Sequence, residues 1–213
     1  MSNVEIICSK LSKSFSGKTI FKNLDLKISL KESYSVTGRN GSGKSTLVKV
    51  LAGLIQQSKG TISVHENNIA LQREKWFEKI GLLSPYYNLY DELTGTENLE
   101  FFYRLKSDAN NGKVVNETVT SLLQEVNLYE KRNEQVKNYS SGMKQRLKLA
   151  FAVINKPEVL FMDEPRSNLD KYGIEIMNRF ALEHKKNGIL IIATNDEEDK
   201  LLCDNTLNIE DYK

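Results

Sequence analysis

Short runs of consecutive apolar residues recur along the chain, separated by longer amphipathic stretches. Four of these runs read YSVTG (34–38), KIGLLS (79–84), VLFMDE (159–164) and GILIIAT (188–194). Continuous apolar runs of this length are typical of strands that are buried on both faces of a parallel sheet. Ahead of them, Val4 and Ile6 and the alternating apolar residues of 24–30 predict half-buried antiparallel strands.

Apolar residues spaced three and four apart predict helices between these strands. The two clearest stripes consist of Leu47, Val50, Leu51 and Leu54 after the first run and of Met143, Leu147, Ala150, Phe151 and Ile154 before the third. From about 94 to 140 the pattern is purely helical, starts with a capping box at Thr94 and Glu97, and includes a loop predicted at 107–113. The order of elements predicts a doubly wound α/β fold with an inserted helical lobe.

The bulk composition excludes several classes of protein. The 213 residues carry 30 basic and 28 acidic side chains, a net charge of only +2, so no nucleic-acid partner is expected. Cys8 and Cys203 lie far apart without companion histidines, which indicates two reduced thiols rather than a zinc site. No apolar run approaches the roughly 20 residues of a membrane helix, so we expect a cytoplasmic chain without a membrane span of its own.

The clearest chemical signal is GRNGSGKST at 38–46, which has the spacing of a P-loop. It follows an apolar strand and opens an amphipathic helix, so glycines allow the backbone to wrap an anion that the amides and helix dipole attract. A flexible glycine turn alone would not require a lysine and a hydroxyl in register. Lys44 is expected to reach the outer phosphates of a nucleotide and Ser45 to hold Mg²⁺. The predicted nucleotide-binding residues are Gly38, Asn40, Gly41, Ser42, Gly43, Lys44, Ser45 and Thr46.

Two adjacent acids, Asp163 and Glu164, stand at the end of the third apolar run. Buried carboxylates are unfavourable unless they serve a metal or a reaction. Asp163 suits the Mg²⁺ shell, and Glu164 is the candidate to orient and polarise the attacking water while Lys44 stabilises the transferring phosphoryl group. The alternative is that both acids only cap the start of a helix.

With YSSGM at 139–143 added, the chain resembles the ATP-binding subunits of ATP-binding cassette (ABC) transporters over essentially its whole length. The motifs stand in the family's order: Phe15, the P-loop, YSSGM, Asp163 with Glu164, and SNLD at 167–170. The resemblance implies that Phe15 stacks on adenine and that Ser140, Ser141 and Gly142 close on the γ-phosphate held by a second cassette. Read alone, the serines form an ordinary helix start and Asp170 an ordinary turn residue.

The resemblance also implies the domain organisation, a single ABC-type ATP-binding domain over 1–213. A RecA-like core and a β subdomain would occupy about 1–93 and 156–213, and the helical lobe about 94–155. The implied fold is a P-loop NTPase with a mostly parallel sheet core and an N-terminal antiparallel β subdomain.

The segment between core and lobe departs from the family, which has a glutamine there that senses metal and water. This chain has Ser84, Pro85 and Tyr86 around that position. Tyr86, Tyr87 and Tyr90 form either an aromatic docking surface for a membrane subunit or part of the core.

A second departure is Asn195, at a strand end where the family usually has a histidine that donates to the γ-phosphate. An asparagine amide can donate, but it is neutral and does not titrate near neutral pH. Loss of one preorganised donor can slow a reaction roughly a hundredfold. The alternative is that Asn195 caps a helix in a box-like pairing with Glu198.

The function implied is that of a Mg²⁺-dependent ATPase: the motor subunit of an exporter, paired with a second cassette and separate transmembrane permease subunits. These permeases would hold it at the inner face of the cell membrane. The chain is more loosely similar to the haem-exporter ATPases of cytochrome c maturation. A soluble ABC protein acting on ribosomes or DNA, and a nucleotide-dependent scaffold with little hydrolysis, are the alternatives.

Overall fold

Five parallel strands form the central sheet in the computed structural model, which describes residues 3–106 and 111–213. The strands are β3 (Ser33–Thr37), β6 (Ile80–Leu83), β7 (Val159–Asp163), β8 (Ile189–Ala193) and β9 (Asn205–Asn208). They lie in the order β6-β7-β8-β3-β9, and every neighbouring pair is parallel. Strands β7 and β8 are buried along their whole length. The four predicted parallel strands are therefore confirmed, each within one residue at either end.

The register of this sheet brings the predicted site residues to one edge. Ala193 at the end of β8 is the register partner of both Asp163 in β7 and Val36 in β3. Ligands of open α/β sheets bind at the carboxyl ends of the strands. The segments that leave β3, β7 and β8 therefore start side by side.

A second sheet is antiparallel and consists of β1 (Val4–Phe15), β2 (Lys18–Ser29), β4 (Lys59–Glu66) and β5 (Ile69–Ala70), in the order β2-β1-β4-β5. Its inner face buries Val4, Ile6, Leu24 and Ile28, as the alternating pattern predicts. Leu30 lies beyond β2 in a turn, so the predicted strand is one residue too long. The mostly parallel core with an N-terminal antiparallel sheet is confirmed.

Seven α-helices occur in the part of the chain that the structure describes. They are α1 (Lys44–Leu51), α2 (Arg73–Lys79), α3 (Gly95–Lys106), α4 (Gly112–Glu125), α5 (Ser141–Val153), α6 (Lys171–Lys185) and α7 (Glu197–Lys200). Short 3₁₀ turns occupy Tyr129–Lys131, Val136–Asn138 and Ile209–Tyr212.

The capping box before α3 is confirmed in both directions. The Glu97 amide donates to Thr94 Oγ1 over 3.1 Å, and the Thr94 amide donates to Glu97 Oε2 over 2.7 Å. The prediction that Leu54 belongs to the apolar stripe of the first helix is wrong. Helix α1 ends at Leu51, and the Leu54 side chain is 46% exposed. Of the predicted loop at 107–113, residues 107–110 lie outside the described residues. Its last two residues, 112 and 113, belong to α4.

Two apolar clusters cover the two faces of the parallel sheet. One cluster joins α3, α4, α5 and α6 to Leu160, Met162, Leu190 and Ile192. The other joins α1 and the antiparallel sheet to Phe161, Ile189 and Ile191. Helices α3, α4 and α5 also contact one another. The boundaries of a helical lobe at about 94–155 stay a prediction.

Among the described residues, no helix is both long and apolar enough to cross a membrane. Cys8 and Cys203 carry free thiols. Burial raises the pKa of each thiol to about 12, so both are expected to be unreactive.

Candidate nucleotide site

The P-loop connects β3 to α1 and depends on glycines for its path. Gly38, Gly41 and Gly43 have φ angles of 138°, 78° and 110°, which are unfavourable for residues with a side chain. A Cβ atom on Gly38 would lie 2.7 Å from Ser42 Oγ and 2.8 Å from Ile209 Cγ2. The Oγ atom of Ser42 is buried and has no hydrogen-bond partner in the described structure. The loop is thus tightly packed on its outer side.

Lys44 begins α1 and folds back over the loop that precedes it. Its ammonium group donates to the carbonyl oxygens of Gly38, over 2.9 Å, and Arg39, over 3.4 Å. The same Nζ atom lies 3.7 Å from Oε1 of Glu164. The Lys44 side chain is only 6% exposed, so its charge is weakly screened by solvent. A cation in this position attracts the phosphate groups of a nucleotide.

Ser45 and Asp163 form the second pair of the site. Ser45 Oγ donates to Asp163 Oδ1 over 3.0 Å, and the Asp163 residue is 1% exposed. Burial raises the pKa of Asp163, while Ser45 and two lysines act in the opposite direction. Hydroxyl and carboxylate oxygens are ligands that Mg²⁺ accepts, and in phosphate sites it usually takes only one or two protein ligands. The pair therefore fits Mg²⁺, although the described residues include no cluster of three or more His, Cys, Asp or Glu that could hold a metal by itself.

Glu164 follows β7 with a left-handed backbone conformation. Its φ angle is 48°, and its amide donates to the carbonyl of Ala193 over 2.9 Å. This turn directs the residue away from the buried strand. Burial raises the pKa of Glu164, Lys44 lowers it, and the neighbouring charges of Asp163 and Asp199 raise it again. A strained backbone and a raised carboxyl pKa are frequent properties of a general base.

Asn195 follows β8, and its side chain contacts the P-loop. Its Nδ2 atom donates to Oδ1 of Asn40 over 2.6 Å. The interpretation of Asn195 as a helix cap is wrong, because the cap of α7 is Asp196, whose carboxylate accepts from the Glu198 amide over 2.8 Å. The Asp196 amide in turn donates to Thr194 Oγ1. The side-chain amide of Asn195 has no capping role and is therefore available to the nucleotide site.

A cluster of charged side chains lies beside the site, and no sequence motif predicts it. Arg166 donates from Nε to Asp199 Oδ1 over 2.5 Å and also pairs with Glu198. Asp199 is 1% exposed and accepts a second bond, from Thr194 Oγ1, over 2.8 Å. The cluster joins the segment after Glu164 to the segment that carries Asn195.

The segment after Glu164 is also held from the opposite side, by α5. Gln145 is buried, and its side-chain amide donates to the carbonyl of Pro165 over 3.0 Å.

The predicted signature and D-loop residues stand at helix starts. Ser140 caps α5 by accepting from the Met143 amide over 3.2 Å. Ser140 and Ser141 are exposed, and no hydrogen bond among the described residues joins them to the P-loop. Asp170 caps α6 by accepting from the Gly173 amide over 2.8 Å, so it is a helix cap and not the turn residue of the plain interpretation.

Phe15 ends β1 at the edge of the antiparallel sheet. Its side chain is 47% exposed, and the Lys13 ammonium lies 4.4 Å from the centre of its ring. Lys13 thus lies over one face of the half-exposed ring, and the stacking of Phe15 on adenine stays a prediction.

The three tyrosines after β6 divide between surface and core. Tyr86 and Tyr90 are 66% and 51% exposed. Tyr87 packs at 5.2 Å against the ring of Phe151 and donates to the carbonyl of Lys148 over 3.0 Å. Tyr87 also lines an apolar groove of about 550 Å³ together with Leu54, Phe77, Phe102, Leu105 and Phe151. At the position expected for glutamine, the buried Ser84 hydroxyl accepts from the Tyr86 amide over 3.3 Å.

Comparison with known proteins finds similar chains. The family model for ABC transporters matches residues 21–167. The chain is 35% identical over 203 residues to the spermidine/putrescine import ATP-binding protein PotA of Fusobacterium nucleatum, covering 94% of this chain and 53% of that protein. It is 32% identical to the ATP-binding protein YhcH of Bacillus subtilis, covering 91% of this chain and 63% of the relative, and 32% identical to ABC transporter A family member 8 of Arabidopsis thaliana, covering 93% and 23%.

Solved structures share the fold at lower sequence identity. The ATP-binding cassette MJ0796, in a dimeric post-hydrolysis state bound to ADP and phosphate, superposes with a TM-score of 0.85 at 23% identity and covers 96% of this chain and 94% of its own. The chain spans less than two thirds of the length of each of the three curated relatives named above. The extent of the family match, together with the P-loop and its two carboxylates, shows that the chain belongs to the ATP-binding cassettes of the ABC transporter family.

Proposed function

We propose that the chain binds ATP with Mg²⁺ and hydrolyses it as the motor of an ABC transporter. The observation that carries this proposal is the convergence of Lys44, Glu164 and the Ser45–Asp163 pair at one edge of the sheet. Lys44 and Glu164 are 3.7 Å apart, and Ser45 and Asp163 are 3.0 Å apart. A cation, a carboxylate and two oxygen donors thus lie close together, which supports their proposed roles in phosphate binding, water activation and metal binding.

Each side chain has a distinct role in the proposed reaction. Lys44 exchanges the carbonyls of Gly38 and Arg39 for oxygens of the outer phosphates. Glu164 orients a water and accepts its proton as the water oxygen bonds to the γ-phosphorus and the bond to the β-phosphate oxygen breaks. Mg²⁺ on Ser45 and Asp163 would neutralise charge on the phosphates. Asn195 donates a hydrogen bond to the γ-phosphate.

The remaining site residues point to a second cassette. Ser140, Ser141 and Gly142 begin α5, and both serines are exposed. The start of a helix attracts anions through its free amides. Because no hydrogen bond among the described residues joins them to the P-loop of their own chain, the proposal assigns them to the γ-phosphate of a partner cassette. Phe15 would then cover the adenine on its own side, and Asp170 would lie near the interface.

The apolar groove beside Tyr87 is the proposed contact with separate transmembrane permease subunits. It is lined mainly by apolar side chains, and the exposed Tyr86 and Tyr90 adjoin the same segment. Aromatic residues are enriched at protein interfaces. These permeases would hold the cassette at the inner face of the membrane. We propose export as the direction of transport, with import, which the name of PotA states for that relative, as the alternative.

The experiment that tests hydrolysis is the substitution Glu164→Gln, with Glu183→Gln as control because Glu183 is an exposed residue of α6. We expect ATP turnover to fall by about a hundredfold or more in Glu164→Gln, because the amide cannot accept the proton. The Kd for ATP should change by less than about threefold, since binding rests on Lys44 and the loop. Undiminished turnover in Glu164→Gln would remove Glu164 from this role.

A nucleotide-dependent scaffold with little hydrolysis is the second candidate. It is favoured by Ser84 and Asn195, which stand where the family has a glutamine and a histidine. A turnover rate that is no higher than that of Glu164→Gln would select the scaffold. Copurification of a polytopic membrane protein with the chain would support a role in a transporter, whether or not the chain hydrolyses ATP rapidly.

A further inference from the structure

The 3₁₀ turn that follows β9 packs against the outer side of the P-loop at three points. Ile209 lies under the loop, since a Cβ on Gly38 would lie 2.8 Å from its Cγ2 atom. Glu210 pairs with Arg39 at 3.8 Å. Lys213 donates from Nζ to the carbonyl of Ser42 and, over 2.8 Å, to the carbonyl of Ile20. We name residues 209–213 the brace.

The bond from Lys213 to the Ser42 carbonyl fixes one peptide unit of the P-loop. A trans peptide is planar, and its C=O and N–H groups point in opposite directions. The Ser42 carbonyl faces Lys213, so the amide of Gly43 must point away from Lys213. P-loops bind phosphate oxygens through such backbone amides. The brace thus determines the direction of one donor of the nucleotide site.

One further effect of the Lys213 ammonium and one property of Gly43 favour the same outcome. A hydrogen bond accepted by a carbonyl polarises the peptide unit and strengthens its N–H as a donor. Gly43 has a φ angle of 110° and no Cβ, so the peptide between Ser42 and Gly43 has little intrinsic preference for one orientation. The contact with Lys213 therefore adds a preference for one of its orientations.

We propose that Lys213 is a positioning residue of the nucleotide site, which holds the Gly43 amide in the direction that binds phosphate. The proposal deepens the proposed function and rests on it, because it requires ATP to bind at the P-loop. Lys213 touches no phosphate itself and acts through the Ser42 carbonyl. It therefore changes the affinity for nucleotide and leaves the chemistry of Glu164 unaltered.

The test compares Lys213→Met, Lys213→Arg and the control Lys186→Met. Methionine keeps most of the length of the side chain and removes the donors, whereas arginine keeps donors and charge. Lys186 is an exposed lysine at the end of α6, and its loss removes the same charge at a distance from the site. For each protein, the Kd for ATP is measured by titration calorimetry, KM and kcat by ATP turnover, and Tm by calorimetry.

We expect Lys213→Met to raise the Kd and KM for ATP about tenfold with kcat changed by less than about twofold, which corresponds to the loss of one hydrogen bond from the Gly43 amide to a phosphate oxygen. Lys213→Arg should restore the affinity to within about threefold of the unsubstituted chain, and Lys186→Met should equal it. Equal ATP affinity in Lys213→Met and the unsubstituted chain would overturn the inference. A loss that arginine does not restore and that accompanies a lowered Tm would overturn it as well. Failure of the unsubstituted chain to bind ATP would instead remove the proposed function itself.

Discussion

Asn195 Nδ2 lies 2.6 Å from Asn40 Oδ1, so the segment after β8 is bonded to the middle of the P-loop. The carboxamide of asparagine has two N–H donors, and this bond uses one of them. The second donor remains for another acceptor. Asn195 does not cap α7, so its side chain has no competing structural duty there. The bond between Asn195 and Asn40 therefore supports the proposal that Asn195 donates directly to the γ-phosphate.

Replacement of Asn195 is expected to slow hydrolysis in a graded order. Asn195→Ala removes the donor and should lower kcat about tenfold, less than the roughly hundredfold loss of a fully preorganised donor, because one of the two N–H groups is already bound to Asn40. Asn195→Asp places a carboxylate beside Asn40 Oδ1 and the phosphates, and should lower kcat about a hundredfold because it adds repulsion to the loss. Steady-state ATP turnover measures both values.

Asn187→Ala is the control for these variants, since Asn187 is an exposed asparagine between α6 and β8, at the opposite end of β8 from the site. Its turnover should match that of the unsubstituted chain. Equal turnover in Asn195→Ala, Asn195→Asp and Asn187→Ala would show that the bond to Asn40 has no part in hydrolysis.

The pH dependence of turnover should reflect Glu164 and lack an imidazole at position 195. Burial raises the pKa of Glu164 above its ordinary value of 4.5, so activity should fall as the pH decreases through that raised value and the carboxylate takes up a proton. Asn195→His should add a second titration near the ordinary histidine value of about 6.5, with turnover rising as the imidazolium forms beside the phosphates. A limb in which the turnover of the unsubstituted chain rises as the pH falls through about 6.5 would contradict this expectation, because Glu164 gives the opposite direction.

The P-loop and the two acids at the end of β7 were predictable because each is encoded by a short stretch of sequence. Residues 38–46 have a fixed spacing between a strand and a helix, and Asp163 and Glu164 directly follow an apolar run. The common edge follows from the parallel order of the strands, since the carboxyl ends of parallel strands meet there.

The cap of α7 was not predictable, because Asn195 and Asp196 are both good capping residues and stand side by side. The backbone decides between them: Asp196 has the extended conformation of a cap, and its amide is bound by Thr194.

The brace and the ion cluster were invisible for a different reason. Lys213 and Ser42 are 171 positions apart, and Arg166 and Asp199 are 33 apart. Neither contact belongs to a periodic pattern or to a short motif. Their partners become neighbours only through the parallel pairing of β9 with β3 and of β7 with β8. Such contacts follow from the completed fold.

Removal of the charge on Asp163 should stabilise the fold while it abolishes metal-dependent hydrolysis. Burial raises the pKa of Asp163 above 3.8, so the folded state prefers the protonated carboxyl and the ionised form destabilises it at neutral pH. Asparagine still accepts the hydrogen bond from Ser45. We expect Asp163→Asn to raise the free energy of unfolding by about 1 kcal/mol near neutral pH, as measured by urea denaturation.

This advantage of Asp163→Asn should shrink as the pH falls through the raised pKa towards 3.8, because the native carboxyl then becomes neutral as well. Glu183→Gln, at an exposed carboxylate, should change stability by less than about 0.5 kcal/mol at either pH. An advantage of Asp163→Asn that is independent of pH would contradict the assigned cause.

The last prediction concerns the pair of Arg166 and Asp199, whose side chains are 11% and 1% exposed. Arg166→Met leaves the Asp199 carboxylate buried without its counter-charge, which should lower the free energy of unfolding by about 3 kcal/mol or more in urea denaturation. Adding Asp199→Asn should recover part of this loss, because the amide needs no counter-charge and still accepts from Thr194. Arg104→Met is the control, since Arg104 is 47% exposed and lies 4.0 Å from Glu100, and it should change stability by less than about 1 kcal/mol. A double variant that is as unstable as the sum of its single substitutions would show that the two charges are not coupled, because residues in one buried ion pair give non-additive changes.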